Sequence, residues 1–348
     1  MPHCAVSHQI LLVLLVALLN VSSLRAQGTV ESQEGLGMVT GPETGTFMRF
    51  GLDIASLARQ HNLDIIVKPS EGPLENIRRM TSLENAALGI VQSDILSFLS
   101  RSNAPERLKI ADFLRLVLPL HNEEIHLFAN RAIQRLSDLA GKRVVIGPKG
   151  SGSWLTAQNL FALAHIEPAE RLEFPPPKAV SAVLTGAADA MIYVSGKPVP
   201  LFVRLQDLLV QPFYAPLVTK VHFVPLRDEP LLSHYLPATI TPQDYAWVDE
   251  TAETVAVKAV LISFDFSSRR NVYFVQRCEE VAQLGNLIRD NLDFLQKTGH
   301  PKWQDVNLDE NPGLWRWDTC AHPNASEAKP PKQEMMQAIE DILMQKTR

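Results

Sequence analysis

The chain has little cysteine: three residues in 348, of which Cys4 stands ahead of the first apolar segment. Cys278 and Cys320 have no histidines at ligand spacing and do not make a metal site. In an oxidising compartment they can pair as one disulfide pinning the C-terminal tail, a pairing that sequence alone leaves open. Clustered positive charge is also missing. The 33 Lys and Arg are scattered against 38 Asp and Glu, for a net charge of −5, which argues against nucleic acid as a partner. After residue 19 no apolar run approaches the length of a membrane span. Catalytic signatures are absent as well. The glycine run over 147–152 lacks the Lys-Ser/Thr ending of a phosphate loop, and GSGSW is not a nucleophile elbow. Gly35, Gly37 and Gly41 miss the dinucleotide spacing, and neither a Cys–His nor a Ser–His–Asp arrangement stands out.

The N-terminus carries what the rest lacks. Residues 10–19 (ILLVLLVALL) are too short an apolar run to span a bilayer but suit the core of a signal peptide. Cleavage is expected after Ser23 or Ala26, so residues 1–26 read as a signal peptide and the mature protein as exported to the periplasm. The segment ahead of the run has no Lys or Arg, a departure from the usual pattern, and a short anchored segment is the alternative. The mature chain has an ordinary globular composition and enough length for two lobes with separate cores.

Periodicity places strands over 36–40, 64–68 and 87–92, with helices over 46–60 and 74–80 between them. This is the pattern of a parallel sheet covered by helices. The first helix puts Phe47, Phe50, Ile54, Leu57 and Ala58 on one stripe. A second unit comes after residues 114–120, with strands over 125–129, 143–146 and 190–194 and helices over 154–165 and 178–185. Strand-like residues 254–264 rejoin the first sheet, and a long helical pattern over 272–298 caps it. The expected division is 27–120 for the first part of lobe I, 121–238 for lobe II, 239–298 for the return, and 299–348 as a C-terminal extension. Two α/β lobes joined by crossing strands leave a crevice where strand ends and helix starts meet.

Three loops run into helices at that crevice: GPETGT at 41–46, SEGPLEN at 70–76 and GPKGSGS at 147–153. Helix N-termini leave N–H groups unpaired and carry partial positive charge, so they suit a carboxylate. Thr44, Gly45, Thr46 and Phe47 can donate to one, or simply form a β-to-α turn. Ser151, Gly152 and Ser153 expose successive N–H groups with little side-chain obstruction. Glu75 can pair an ammonium and Asn76 a hydroxyl or amine, or both can decorate a first helical turn. Asp94, behind Gln92, contacts a ligand amine or caps the next helix. Arg49 and Arg78 can clasp a carboxylate or lie on the helix surface. His121 and His126 read as structural, and neither a metal nor a cofactor is assigned.

In this order the loops resemble the TAXI-type solute receptors of tripartite ATP-independent periplasmic (TRAP) transporters. The resemblance rests on Thr44-Gly45-Thr46, Glu75-Asn76, Val91-Gln92-Ser93-Asp94, LAGKRV at 139–144, Gly150-Ser151-Gly152-Ser153, GAADA at 186–190, Gly196 with Pro198, and ITPQDY at 240–245. It implies a two-lobed, type II periplasmic-binding fold with crossing hinge strands, closing around a small organic acid or amino acid, glutamate or dicarboxylates among them. It also implies delivery to a membrane permease, and it places Gln92, Trp154 and Gly196 among the ligand contacts. Phe47-Met48, Pro73 and Trp154 depart from the family's usual residues at such contacts, so the ligand can differ. The alternatives are a sensor feeding a signalling receptor, or an exported hydrolase or lyase using Glu75, Asp94 or Ser151; a binding protein, not an enzyme, is expected.

Overall fold

The computed structural model describes residues 35–82, 86–101 and 105–323. The signal peptide expected over 1–26, most of the polar lead after it and the helix expected at the extreme C-terminus lie outside the described residues. Strands β1 (Leu36–Val39), β2 (Ile65–Lys68) and β3 (Leu88–Gln92) alternate with helices α1 (Thr46–Gln60) and α2 (Pro73–Thr81). Helices α3 (Ile95–Ser100) and α4 (Pro105–Phe113) lead into the 17-residue strand β4 (Leu114–Asn130). Strands β5 (Arg143–Val145), β6 (Glu170–Leu172) and β7 (Ala190–Ser195) come next, with helices α5 (Gly152–Leu163) and α6 (Pro176–Leu184) between them. Short helical turns separate β7 from β8 (Val221–Phe223) and β9 (Leu236–Ile240), and the 13-residue β10 (Ala252–Phe264) runs back to the start. Helices α7 (Val272–Asp290) and α8 (Leu292–Thr298) close the pattern.

The strand order is β2-β1-β3-β10-β4-β7-β5-β6, with β8 on β4 and β9 on β10. β1, β2 and β3 are parallel, as are β5, β6 and β7, while β4 and β10 run antiparallel to their neighbours and to each other. The fold is therefore α/β with two lobes, and β4 and β10 cross between them. At roughly 3.3 Å per residue β4 alone reaches about 55 Å, enough to serve both lobes. The sequence pattern splits this strand in two because His121, Asn122, Glu123 and Glu124 interrupt its apolar run. In the fold that stretch is where β4 changes partner: it pairs β10 through residue 124 and β7 from residue 124 onward. The β4–β10 register shifts beside Pro119, which has no N–H to give the ladder.

Each lobe fills its own core. Phe50, Ile54, Leu118, Leu261 and Ile288 pack on one face of the first, Ile77, Val91, Leu116 and Val260 on the other. The expected α1 stripe is buried as read, each such side chain stabilising by about 1.5–3 kcal/mol. In the second lobe Ile125, Leu127, Leu160 and Ile192 form one layer and Phe128, Val183, Phe202 and Phe223 another. The capping helix is two helices, broken at Asn291. Residues 299–323 pack onto the first lobe. Trp303 is fully buried, donates Nε1–H to Asp53 Oδ2 at 2.8 Å and stacks on Phe50. Trp315 donates to Ser93 O at 2.9 Å, and Cys320 is disulfide-bonded to Cys278 of α7.

Candidate ligand-binding cleft

The three loops reach one place. Gly45 is the N-cap of α1 in extended conformation, with no side-chain cap on the first turn. Gly72 precedes Pro73, the first residue of α2, at φ +142, a value L side chains rarely adopt. A Cβ there would stand 2.8 Å from Gly150 O, so the second loop touches the third across the lobe boundary. Ser151 Oγ caps α5 by accepting from Trp154 N at 3.3 Å, and Ser153 Oγ accepts from Val194 N at 3.0 Å, fixing the helix start to β7. Gly152 must be glycine for a separate reason: a Cβ would overlap the side-chain amide of Gln92, which comes from the other lobe. A fourth helix start, Pro176 of α6, joins them. Together they surround a cavity of about 240 Å³.

Lobe I contributes Gly45, Thr46, Phe47, Glu71, Gly72 and Gln92 to the lining, and lobe II contributes Gly147, Ser151, Gly152, Ser153, Tyr193 and Ser195. Glu123, on β4 at the crossing, forms the floor. Gln92 Nε2 donates to Glu123 Oε2 at 2.8 Å. Burial pushes the Glu123 carboxyl up to about 8; Glu124 and Asp94 nearby push the same way, while Gln92 and Lys302 oppose them. His121, fully buried against Phe47 and Phe50, is held well below the usual imidazole range by burial and then by nearby cations, Lys302 first. Glu124 accepts from Lys197 N at 2.8 Å and lies 3.7 Å from Lys302 Nζ, which arrives from the C-terminal segment. Among the described residues no Lys or Arg lines the cavity.

Of the residues singled out from sequence, Gly45, Thr46, Phe47, Gln92, Ser151, Gly152 and Ser153 come together on the lining. The others do not, each for a visible reason. Thr44 points to solvent. Glu75 turns back to accept from Glu71 N at 2.8 Å and faces Arg79 and Arg78. Asn76 is fully buried and stitches α2 to the sheet, donating to Thr40 O and Ile90 O. Asp94 is an inter-lobe tie: its Oδ2 accepts from Asn159 Nδ2 at 2.8 Å and Tyr235 OH at 3.1 Å. Trp154 donates to Glu173 Oε1 at 3.0 Å and packs edge-on to Phe98. Gly196 backs onto the Lys302 stem, where a Cβ would come within 2.6 Å of Cε. Arg49 and Arg78 are exposed and off the lining. His126 is structural, bonded to Tyr245 OH at 2.8 Å and to Glu124 O at 2.9 Å, with burial holding its imidazole down to about 4.

Sequence reasoning missed Glu123, Tyr193, Ser195 and Pro176. Tyr193 and Ser195 stand at the end of a strand that visibly breaks at Ser195-Gly196, and that break is a signal the sequence carries. Glu123 has none, since its burial depends on β3, β10 and residue 302 arriving around it.

Among curated proteins none matches the chain in sequence. Solved structures similar to it include a histidine kinase sensor domain with similarity to periplasmic binding proteins, at 12% identity over 79% of this chain and 98% of that one, TM-score 0.43. MatC from Rhodopseudomonas palustris with bound malate is 15% identical over 75% of this chain and 88% of its own, TM-score 0.42. The periplasmic aliphatic sulphonate binding protein SsuA from Escherichia coli is 17% identical over 78% of each chain, TM-score 0.39. A family model matches over residues 38–311, well over half of the sequence, and the chain belongs to the NMT1-like family.

Proposed function

We propose that this protein is an exported, periplasmic receptor of the TAXI type, which captures a small organic anion or amino acid between its lobes and delivers it to a TRAP-type permease. The observation that carries this reading is that uncapped or serine-capped helix starts from both lobes face one shared cavity. Thr46 and Phe47 offer N–H groups from one side and Gly152 and Ser153 from the other, the Gly45 and Ser151 N–H groups being spent on Pro42 O and Pro148 O within their own turns, and Gln92 contacts the ligand between them. The cavity, about 240 Å³, is below the roughly 300–1,000 Å³ of drug-sized sites, which suits a small metabolite. Contacts from both lobes exist only when the lobes meet, so ligand binding favours the closed form. Residues 1–26 act in this reading as the secretion signal. Lobe I is built from residues 27–120 and 239–298, and lobe II from 121–238.

A thermal-shift screen of carboxylates and amino acids tests it. Ligand at 100 times its Kd stabilises the native state by about 2.7 kcal/mol, which raises Tm by several degrees. A broad screen in which no small acid or amino acid moves Tm contradicts a receptor role.

A further inference from the structure

The floor of the cleft and its walls have opposite chemistry. The walls are donors, the N–H groups at the starts of α1 and α5. The floor holds the carboxyl group of Glu123, and those of Glu124 and Asp94, off the lining, lie near enough to act on it. Lys302 is the cation that acts on Glu123, and its Nζ is already 2.6 Å from Asp305. Lys258, also buried nearby, is committed to Glu310 at 2.7 Å. Two of the floor's acceptors are not satisfied. Gln92, 4% exposed, has no hydrogen-bond partner for Oε1 among the described residues. Glu123, 5% exposed, has Oε1 3.9 Å from His121 Nε2, beyond hydrogen-bond reach. An ammonium group brings three donors and one positive charge, which answers both deficits. A second carboxylate would bring only further acceptors, and Glu123 could meet it only while its own carboxyl keeps its proton.

We infer that the ligand is a zwitterion, its carboxylate held by the loop N–H groups and its ammonium group by Glu123 and Gln92, so that amino acids bind and dicarboxylates do not. This rests on the receptor reading above and narrows its ligand. It carries a pH signature. An ammonium needs Glu123 ionised, and the groups facing Glu123 are Asp94, His121, Glu124, Tyr193 and Lys302. With its carboxyl at about 8 in the free cleft, Glu123 gives up a proton when an ammonium arrives. Affinity then climbs by up to about tenfold per pH unit and levels off above that value. A carboxylate held by protonated Glu123 would give the opposite slope.

The test is a titration panel on the mature protein: the common amino acids, each paired with its deaminated acid, together with succinate and glutarate, at a series of pH values. The expected result is an amino acid that binds at least about 100-fold tighter than its deaminated partner, since that partner leaves the floor acceptors unpaired. Its affinity should rise with pH, and Glu123→Gln should weaken it to a similar degree while ligand-free Glu123→Gln melts no lower than wild type. A deaminated acid or dicarboxylate that binds as tightly, or an affinity that falls as pH rises, overturns the zwitterion and leaves the receptor standing. Binding by no member of the panel contradicts both readings. The pH series on wild type decides the question even if the variant folds poorly.

Discussion

Glu123 sets the behaviour of the cleft at the scale of single residues, and it costs stability. Its carboxyl is raised from 4.5 to about 8, chiefly by burial. A raised acid favours the folded state only while it is protonated. Its contribution is therefore full below 4.5 and drains away as pH climbs to about 8, by at most about 1.4 kcal/mol per pH unit. Glutamine cannot ionise, so in the absence of ligand Glu123→Gln should gain on wild type steadily between these limits. Parallel melts of the two proteins across this range check it, and a constant difference would contradict a buried, titrating Glu123. His126, held down to about 4, loses stability on the acid side in both proteins and cancels in the comparison. None of this was legible in LHNEEIHLF. Four polar residues in an apolar run read as a break between strands, and only the tertiary partners turn them into a buried strand interior. Asn76 and Asp94 failed differently: their positions beside the loops were right, but the directions of their side chains depend on the sheet and on the opposite lobe.

Among the elements, α5 carries a close contact between the lobes. Its first residue, Gly152, lies so near the Gln92 amide that any side chain must displace it. The substitution Gly152→Ala is harmless to an isolated helix, where alanine is the better former. It should nevertheless weaken ligand binding at least about tenfold, because Gln92 must either leave Glu123 or hold the lobes apart. Titration of the variant with the ligand found by screening measures this, and an unchanged affinity would contradict a bound form in which Gln92 lies against α5. The loop at 147–153 was readable because Gly147 and Gly150, at φ +87 and +86, take angles that glycine favours, and Ser151 is an ordinary N-cap. The start of α6 was hidden by its prolines, which displaced the expected helix by two residues. The pairing of Cys278 with Cys320 was permitted by the sequence, and what fixes it is the packing of residues 299–323 against α7.

For the molecule as a whole, the alternation of strands and helices was enough to give two α/β lobes and the return of β10 to the first sheet. It did not give the ties between them. Asp94 with Asn159 and Tyr235, and Phe98 against Trp154, join lobe I to lobe II outside the cavity. These contacts and the ligand's own act together, since each exists only while the lobes meet. Hydrogen–deuterium exchange with and without the ligand found by screening measures that most directly. Saturating ligand should slow exchange at residues 45–47 and 71–76 in one lobe and at 151–155 and 193–195 in the other, all together. Protection confined to one lobe, or to a surface away from these segments, would contradict a guest held between two closing halves.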